Sequence, residues 1–139
     1  MSKEPTFFEH YRELYRPLLN AVNSRLAKFQ LYNAQWVILR IIYYKGPMTL
    51  ADLAKDTRVE KPSVTRIIHK LIELEYIETK QGDDKREKYV YLTESGKDVL
   101  RKVRLEVDDY LKSLTIGIPE DELQIASKVL KNILENVIR

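Results

Sequence analysis

The feature that constrains the fold most is a change in the spacing of apolar residues near the middle of the chain. Between residues 50 and 71 apolar side chains recur every three or four positions, which is the spacing of helices that bury one face. From residue 76 the period falls to two, which predicts short strands at 76–80 and 88–92. The stretch between the strands, QGDDKRE, is crowded with opposite charges. A short helix, a turn, a second helix and a charged hairpin together predict a winged helix-turn-helix.

Helices are also predicted on both sides of this segment. Residues 5–30 form one helix with a kink or register shift at Pro17, and Asn33 caps the next. After the hairpin, Thr93 caps a long helix, and Pro119 starts a last one with a coiled-coil-like apolar seam. The expected fold is mainly α with a small β-wing: a winged helix-turn-helix flanked by N- and C-terminal dimerisation helices.

Three regions follow from this order. Residues 1–32 are the predicted N-terminal dimerisation helix, 33–93 the winged helix-turn-helix, and 94–139 the C-terminal dimerisation helices. The outer helices carry apolar side chains that one short chain would expose, namely Phe7, Phe8, Ile133, Leu134, Val137 and Ile138. They indicate a homodimer, and the alternative is a self-contained helical cap over the winged domain. A two-fold dimer would read a pseudo-palindromic operator with half-sites about 10 bp apart.

Composition excludes several classes of site. The chain of 139 residues has a net charge of +3 and no cysteine, so disulfides and zinc-cysteine sites are excluded. No stretch approaches the roughly 20 apolar residues of a membrane span, and a cytoplasmic protein without a membrane segment is expected. His10 and His69 have no ligand spacing with each other, and no nucleophile–base pair or phosphate-binding glycine loop is present. We therefore expect no metal, no cofactor and no enzymatic activity.

The second helix of the central pair has a basic outer face without an acid. Such a helix fits the major groove of B-DNA, which is about 12 Å wide. There its lysine and arginine side chains can contact phosphates or guanine edges, and its hydroxyl groups can contact phosphates or any nucleobase. The alternative is an ordinary amphipathic helix with a solvated polar face, and the adjoining wing favours DNA binding. The candidate DNA-binding residues of this helix are Lys61, Pro62, Ser63, Thr65, Arg66, His69 and Lys70.

Three stretches carry a resemblance to a known family: NAQWVIL (33–39), LADLAKDTRVEKPSVTRIIHKLIELEYI (50–77) and DDKREKYVYLTESG (83–96). With them the chain resembles the MarR family of bacterial winged-helix transcription regulators. The last stretch is the most specific, because the family's wing carries Asp-x-Arg followed by a strand that ends in Leu-Thr-x-x-Gly.

The resemblance implies how the wing is used. It implies an obligate homodimer with interleaved terminal helices, in which Arg86 enters the minor groove and Asp84 orients it. A narrow minor groove concentrates negative potential and attracts a guanidinium. Lys85 and Lys88 would face the DNA backbone. Asp83 and Glu87 have no assigned role, and we interpret them as solvated charges at a hairpin tip.

Two positions depart from the family pattern. Glu60 stands where Ser or Thr often begins the recognition helix, and it could repel a phosphate. Glu75 stands where Gly often precedes the first wing strand, which implies either a strained backbone or a differently built turn.

The resemblance also suggests a small-molecule pocket between the dimerisation helices and the winged domain. Its candidate lining residues are Tyr11, Tyr15, Trp36 and Tyr43, for a small aromatic or amphipathic ligand; the alternative is that these aromatics belong to the core. The expected function is a dimeric, sequence-specific double-stranded DNA-binding regulator, a repressor released by a small-molecule effector. The competing hypothesis is a winged-helix protein–protein interaction module without specific DNA binding.

Overall fold

A computed structural model describes residues 6–84 and 87–139. These residues form six α-helices: α1 (Thr6–Leu26), α2 (Asn33–Lys45), α3 (Leu50–Thr57), α4 (Lys61–Glu73), α5 (Glu94–Leu114) and α6 (Glu120–Val137). The described residues also form three strands, β1 (Met48–Thr49), β2 (Ile77–Gln81) and β3 (Lys88–Leu92), and one turn of 3-10 helix. The mainly helical winged helix-turn-helix is confirmed. The chain divides into two compact units, one ending at Val107 and the other beginning at Asp108.

The sheet of the first unit is antiparallel, with the strand order β1-β3-β2. Ile77 of β2 lies opposite Leu92 of β3, and Met48 of β1 lies opposite Val90 on the other edge of β3. The two wing strands were predicted, whereas β1 was not. A strand of two residues is too short to show the alternation of apolar and polar side chains. Strand β1 is extended because it pairs with β3.

The core of the first unit lies where the helices meet the sheet. Helices α2, α3 and α4 bury one face each, and Val103 and Val107 of α5 join them. Trp36 is 4% exposed and belongs to this core. The remaining buried apolar residues are Val22, Leu26, Leu31, Ile38, Leu39, Ile42, Met48, Leu53, Val64, Ile68, Leu71, Ile77, Val90 and Leu100.

The N-terminal caps of two helices can be compared with the sequence predictions. Thr49, with Asp52 three residues later, resembles a capping box in the sequence, and the structure confirms the cap, because Asp52 N–H donates to Thr49 Oγ1 at 3.1 Å. The cap predicted at Asn33 is wrong. Asn33 is already helical, and its N–H donates to Asn23 Oδ1 at 2.7 Å. Tyr32 occupies the cap position instead, and its N–H donates to the side chain of Gln35 at 2.9 Å.

The first helix is shorter than predicted. It runs through Pro17 and ends at Leu26, and one turn of 3-10 helix over Ala27–Phe29 follows. Gln30 then adopts a left-handed φ of 63° and ends the segment.

The second unit contains the end of α5 and all of α6. Pro119 is the N-cap of α6, and three acids follow in its first turn, as the sequence predicts. Apolar side chains of α6 remain exposed in the single chain, among them Ile125 at 63% and Leu130 at 53%. None of the helices in the described ranges is long and apolar enough to cross a membrane.

Candidate nucleic-acid interface

Helix α4 separates its apolar and basic residues cleanly. Val64, Ile68 and Leu71 are buried and fix the helix against the core. The opposite face is open to solvent: Ser63 and Thr65 are half-buried, and Lys61, Pro62, Arg66, His69 and Lys70 are exposed. Because the apolar residues pack against the core, the other side of the helix faces solvent. All seven residues predicted on this helix lie on that side.

The start of α4 has an unusual cap. Glu60 is the N-cap residue, its side chain makes no capping hydrogen bond, and Pro62 lies in the first turn. A carboxylate here interacts favourably with the positive end of the helix dipole. No further acid occurs until Glu73, whose Oε2 lies 3.8 Å from Lys70 Nζ. The middle of the exposed face is therefore purely cationic.

Two hydroxyl groups on α4 have different partners. Arg66 Nη2 donates to Ser63 Oγ at 3.0 Å, one helical turn earlier. The Thr65 hydroxyl donates to the Lys61 carbonyl oxygen, also at 3.0 Å. The first contact fixes a guanidinium on the exposed face, and the second occupies the only side-chain donor of Thr65.

The wing is closed by backbone hydrogen bonds at the base of its tip. Gly82 N–H donates to the Glu87 carbonyl oxygen, and Glu87 N–H donates to the Asp84 carbonyl oxygen, both at 2.9 Å. Asp84 and Lys88 are exposed. Lys85 and Arg86, predicted to reach the DNA, lie outside the described residues.

Glu87 has a partner that the sequence did not reveal. Tyr89 O–H donates to Glu87 Oε2 at 3.1 Å, and this hydrogen bond raises the pKa of Tyr89 above its ordinary value. Glu87 directly precedes β3 and is separated from Tyr89 by one position, and in extended backbone such residues lie on the same face. That spacing was the available signal. Lys80 was also missed: its Nζ lies 4.9 Å from the ring centroid of Tyr91 and adds a cation to the wing.

A strained turn joins α4 to the wing. Glu75 adopts a left-handed φ of 63°, which confirms the strained-backbone expectation for this position. The Thr93 hydroxyl donates to the Glu75 carbonyl oxygen at 2.6 Å, and Thr93 N–H donates to that of Tyr76 at 3.1 Å. A Cβ on Gly96 would lie 2.0 Å from the Tyr76 oxygen, so the glycine is required by this close approach. Thr93 and Gly96 therefore hold the end of β3 against the turn that follows α4.

The predicted pocket aromatics occupy different surroundings. Trp36 is in the core, and the guanidinium carbon of Arg40 lies 5.6 Å from its ring centroid. Tyr11 and Tyr15 contact each other on α1, with centroids 6.2 Å apart. Tyr43 lines an open cavity of about 260 Å³ together with Ile42, Gly46, Pro47, Tyr91, Leu92 and Lys97.

Comparison with known proteins identifies the family. The family model for MarR matches residues 31–88. An uncharacterized HTH-type transcriptional regulator of Staphylococcus aureus is 30% identical over 136 residues, which cover 96% of this chain and 93% of that protein. The chain belongs to the MarR family. The regulator YwoH of Bacillus subtilis is 29% identical over 120 residues, covering 86% of this chain and 88% of that protein.

Solved structures agree with this assignment. Staphylococcus aureus MarR in complex with salicylate and kanamycin has a TM-score of 0.87 at 30% identity, covering 96% of this chain and 91% of that chain. The S. aureus MepR–DNA complex has the same fold, with a TM-score of 0.86 at 22% identity and coverages of 96% and 99%. This MarR-family chain is a DNA-binding transcriptional regulator, and its curated relatives are regulators rather than enzymes.

Proposed function

We propose that the protein is a homodimeric repressor that binds a pseudo-palindromic operator in the cytoplasm and is released by a small molecule. The observation that carries this proposal is the exposed, acid-free face of α4, set beside a wing and aimed outward by the buried Val64, Ile68 and Leu71. In this account α4 enters the major groove. The wing reaches the adjacent minor groove through Arg86, with Asp84 as its orienting carboxylate.

Phosphate and base contacts are divided between the residues. Lys61, Lys70, Lys85 and Lys88 neutralise phosphates, which gives affinity that falls with added salt. Arg66, Ser63 and Thr65 read base edges, and His69 and Pro62 contribute surface beside them.

Exposed apolar residues on the terminal helices support the dimer. Phe7, Phe8, Tyr11 and Leu14 of α1 are more than 40% exposed in the single chain. On α6 the exposed apolar residues are Ile125, Val129, Leu130, Leu134 and Val137. Side chains of this kind are covered when two copies associate, so residues 1–32 and 94–139 act as dimerisation regions around the DNA-binding region 33–93.

A small aromatic or amphipathic ligand is the proposed effector. The cavity beside Tyr43 offers apolar walls and one cation, Lys97 Nζ, which lies 3.4 Å from Glu94 Oε1. Arg104 lies 5.9 Å from the centroid of the Tyr43 ring. The S. aureus MarR structure contains salicylate, an aromatic carboxylate, which fits a cationic and aromatic site of this kind. Tyr11, Tyr15 and Trp36, the other residues predicted to line an effector pocket, are not among the residues that line this cavity.

The experiment that tests the proposal compares Arg66→Ala and Arg86→Ala in gel-shift titrations. Each variant is expected to weaken operator binding by about 10- to 100-fold, because each removes a groove contact worth about 1–3 kcal/mol. Lys112→Ala, an exposed change near the end of α5, serves as the control for loss of one positive charge. Circular dichroism and sedimentation establish that the variants remain folded dimers. Unchanged affinity in both arginine variants would contradict the proposal.

A further inference from the structure

The contact between Ser63 and Arg66 gives one residue of the DNA-facing surface a role of its own. Arg66 is exposed, yet its Nη2 is held 3.0 Å from Ser63 Oγ. A free arginine on a helix samples many rotamers and loses that freedom when it binds. A partner that sets its direction beforehand lowers this cost.

The guanidinium keeps its capacity to read a base while it contacts Ser63. Arginine has five N–H donors, and this contact uses one of the two on Nη2. Whichever hydrogen is used, either the Nη1/Nη2 pair or the Nε/Nη2 pair stays free. A free pair of this kind matches the O6 and N7 acceptors of guanine in the major groove.

The hydroxyl groups of Ser63 and Thr65 make different hydrogen bonds. Ser63 Oγ accepts from Arg66, so its own O–H remains available for a phosphate or base acceptor. The Thr65 O–H is donated to the Lys61 carbonyl, so its oxygen can accept, but has no donor for a phosphate unless that bond breaks. The two hydroxyls therefore do not substitute for each other.

We propose that Ser63 is a positioning residue that presets Arg66 to read a guanine in each operator half-site. The inference rests on the proposed function, because it requires α4 to lie in the major groove. It predicts that removal of the Ser63 hydroxyl lowers the preference for guanine rather than affinity in general.

The test is selection from a duplex pool with a randomised centre of about 20 bp, two helical turns. Wild type, Ser63→Ala, Ser63→Thr, Arg66→Ala and the double variant Ser63→Ala/Arg66→Ala are compared. Ser95→Ala removes an exposed hydroxyl near the start of α5 and is the matched control. Bound sequences are counted, and the frequency of guanine at each position gives the base preference.

Wild type is expected to select a two-fold symmetric consensus with a guanine in each half-site that Arg66→Ala no longer selects. Ser63→Ala should lower that guanine preference about three- to tenfold, the cost of ordering one free arginine side chain on binding. The preference should be kept in Ser63→Thr and Ser95→Ala. In the Arg66→Ala background, removal of the hydroxyl should lower the guanine preference no further.

Two results would overturn the inference while leaving the proposed function in place. One is a Ser63→Ala variant with the wild-type guanine preference, including a variant whose affinity falls equally for every sequence. The other is a symmetric consensus whose guanines do not depend on Arg66. A wild-type protein that selects no consensus would instead contradict the proposed function itself.

Discussion

The hydroxyl of Thr93 donates a 2.6 Å hydrogen bond to the carbonyl oxygen of Glu75. The bond joins the end of the wing to the turn that follows α4, so the two elements that we propose contact DNA are anchored at one point. Glu75 pays a conformational cost for this position, because its φ of 63° lies in the region that disfavours residues with a Cβ.

Replacement of Glu75 by glycine is expected to stabilise the protein. Glycine adopts the left-handed conformation without the steric penalty, and its greater freedom in the unfolded chain offsets part of the gain. The free energy of unfolding should rise by about 0.5–1 kcal/mol, measured by urea denaturation. Glu73→Gly, two residues earlier at the last residue of α4, should instead destabilise by up to about 1 kcal/mol, the cost of glycine in a helix interior. A destabilised Glu75→Gly variant would show that the carboxylate matters more than the backbone.

Removal of the Tyr76 hydroxyl should destabilise the junction between the wing and the N-terminal segment. Tyr76 O–H donates to the Phe29 carbonyl oxygen at 2.8 Å in a partly buried setting. Tyr76→Phe leaves that carbonyl without this donor and should cost about 1 kcal/mol of unfolding free energy. Tyr44→Phe, at a side chain that is 60% exposed, is the control and should change stability little.

The contribution of Tyr76 to the free energy of unfolding should depend on pH. Burial raises the pKa of Tyr76 above its ordinary value of 10.0, so the folded state holds this proton more tightly than the unfolded state. The stability linked to that proton is complete below about pH 10 and is lost as the pH rises toward the raised pKa. The difference in unfolding free energy between wild type and Tyr76→Phe should therefore shrink above pH 10. A difference that stays constant from pH 8 to pH 11 would contradict this assignment.

A charged residue in the exposed seam of α6 should break the dimer. Leu130 is 53% exposed in the single chain, and Leu130→Lys would place a charge where we propose that two copies meet. Sedimentation velocity at micromolar concentration should show a dimer for wild type and a monomer for the variant. Asn132→Ala, on the same helix, should remain dimeric. A wild-type protein that sediments as a monomer would refute the proposed assembly.

Short-range signals in the sequence predicted much of the fold. The cap at Thr49, the proline in the first turn of α4 and the cap at Thr93 all depend on residues within one turn. The cap predicted at Asn33 was wrong because a contact distant in sequence forms there: Asn33 N–H donates to the side chain of Asn23, ten residues earlier. Strand β1 was missed because Met48–Thr49 is extended by its pairing with β3, a contact that local propensity does not encode.

The candidate interface was predictable in outline but not in detail. The acid-free stretch from Lys61 to Ile72 is visible as sequence, and its outward direction follows from the apolar spacing. The different hydrogen bonding of Ser63 and Thr65 is not visible in the sequence, because it depends on the partner of each hydroxyl: Ser63 Oγ accepts from Arg66, and Thr65 O–H donates to the Lys61 carbonyl. The role of Arg86 at the wing tip remains a prediction from the family pattern.

The central claim is that two α4 helices of one dimer read one operator. Its most direct test is a binding titration with the selected operator and with a variant that carries 5 bp inserted between the half-sites. Half-sites about 10 bp apart lie on one side of the duplex, and half a turn rotates one of them to the opposite side. We predict that the insertion reduces binding to the level of unrelated DNA. Equal affinity for the two duplexes would contradict the account.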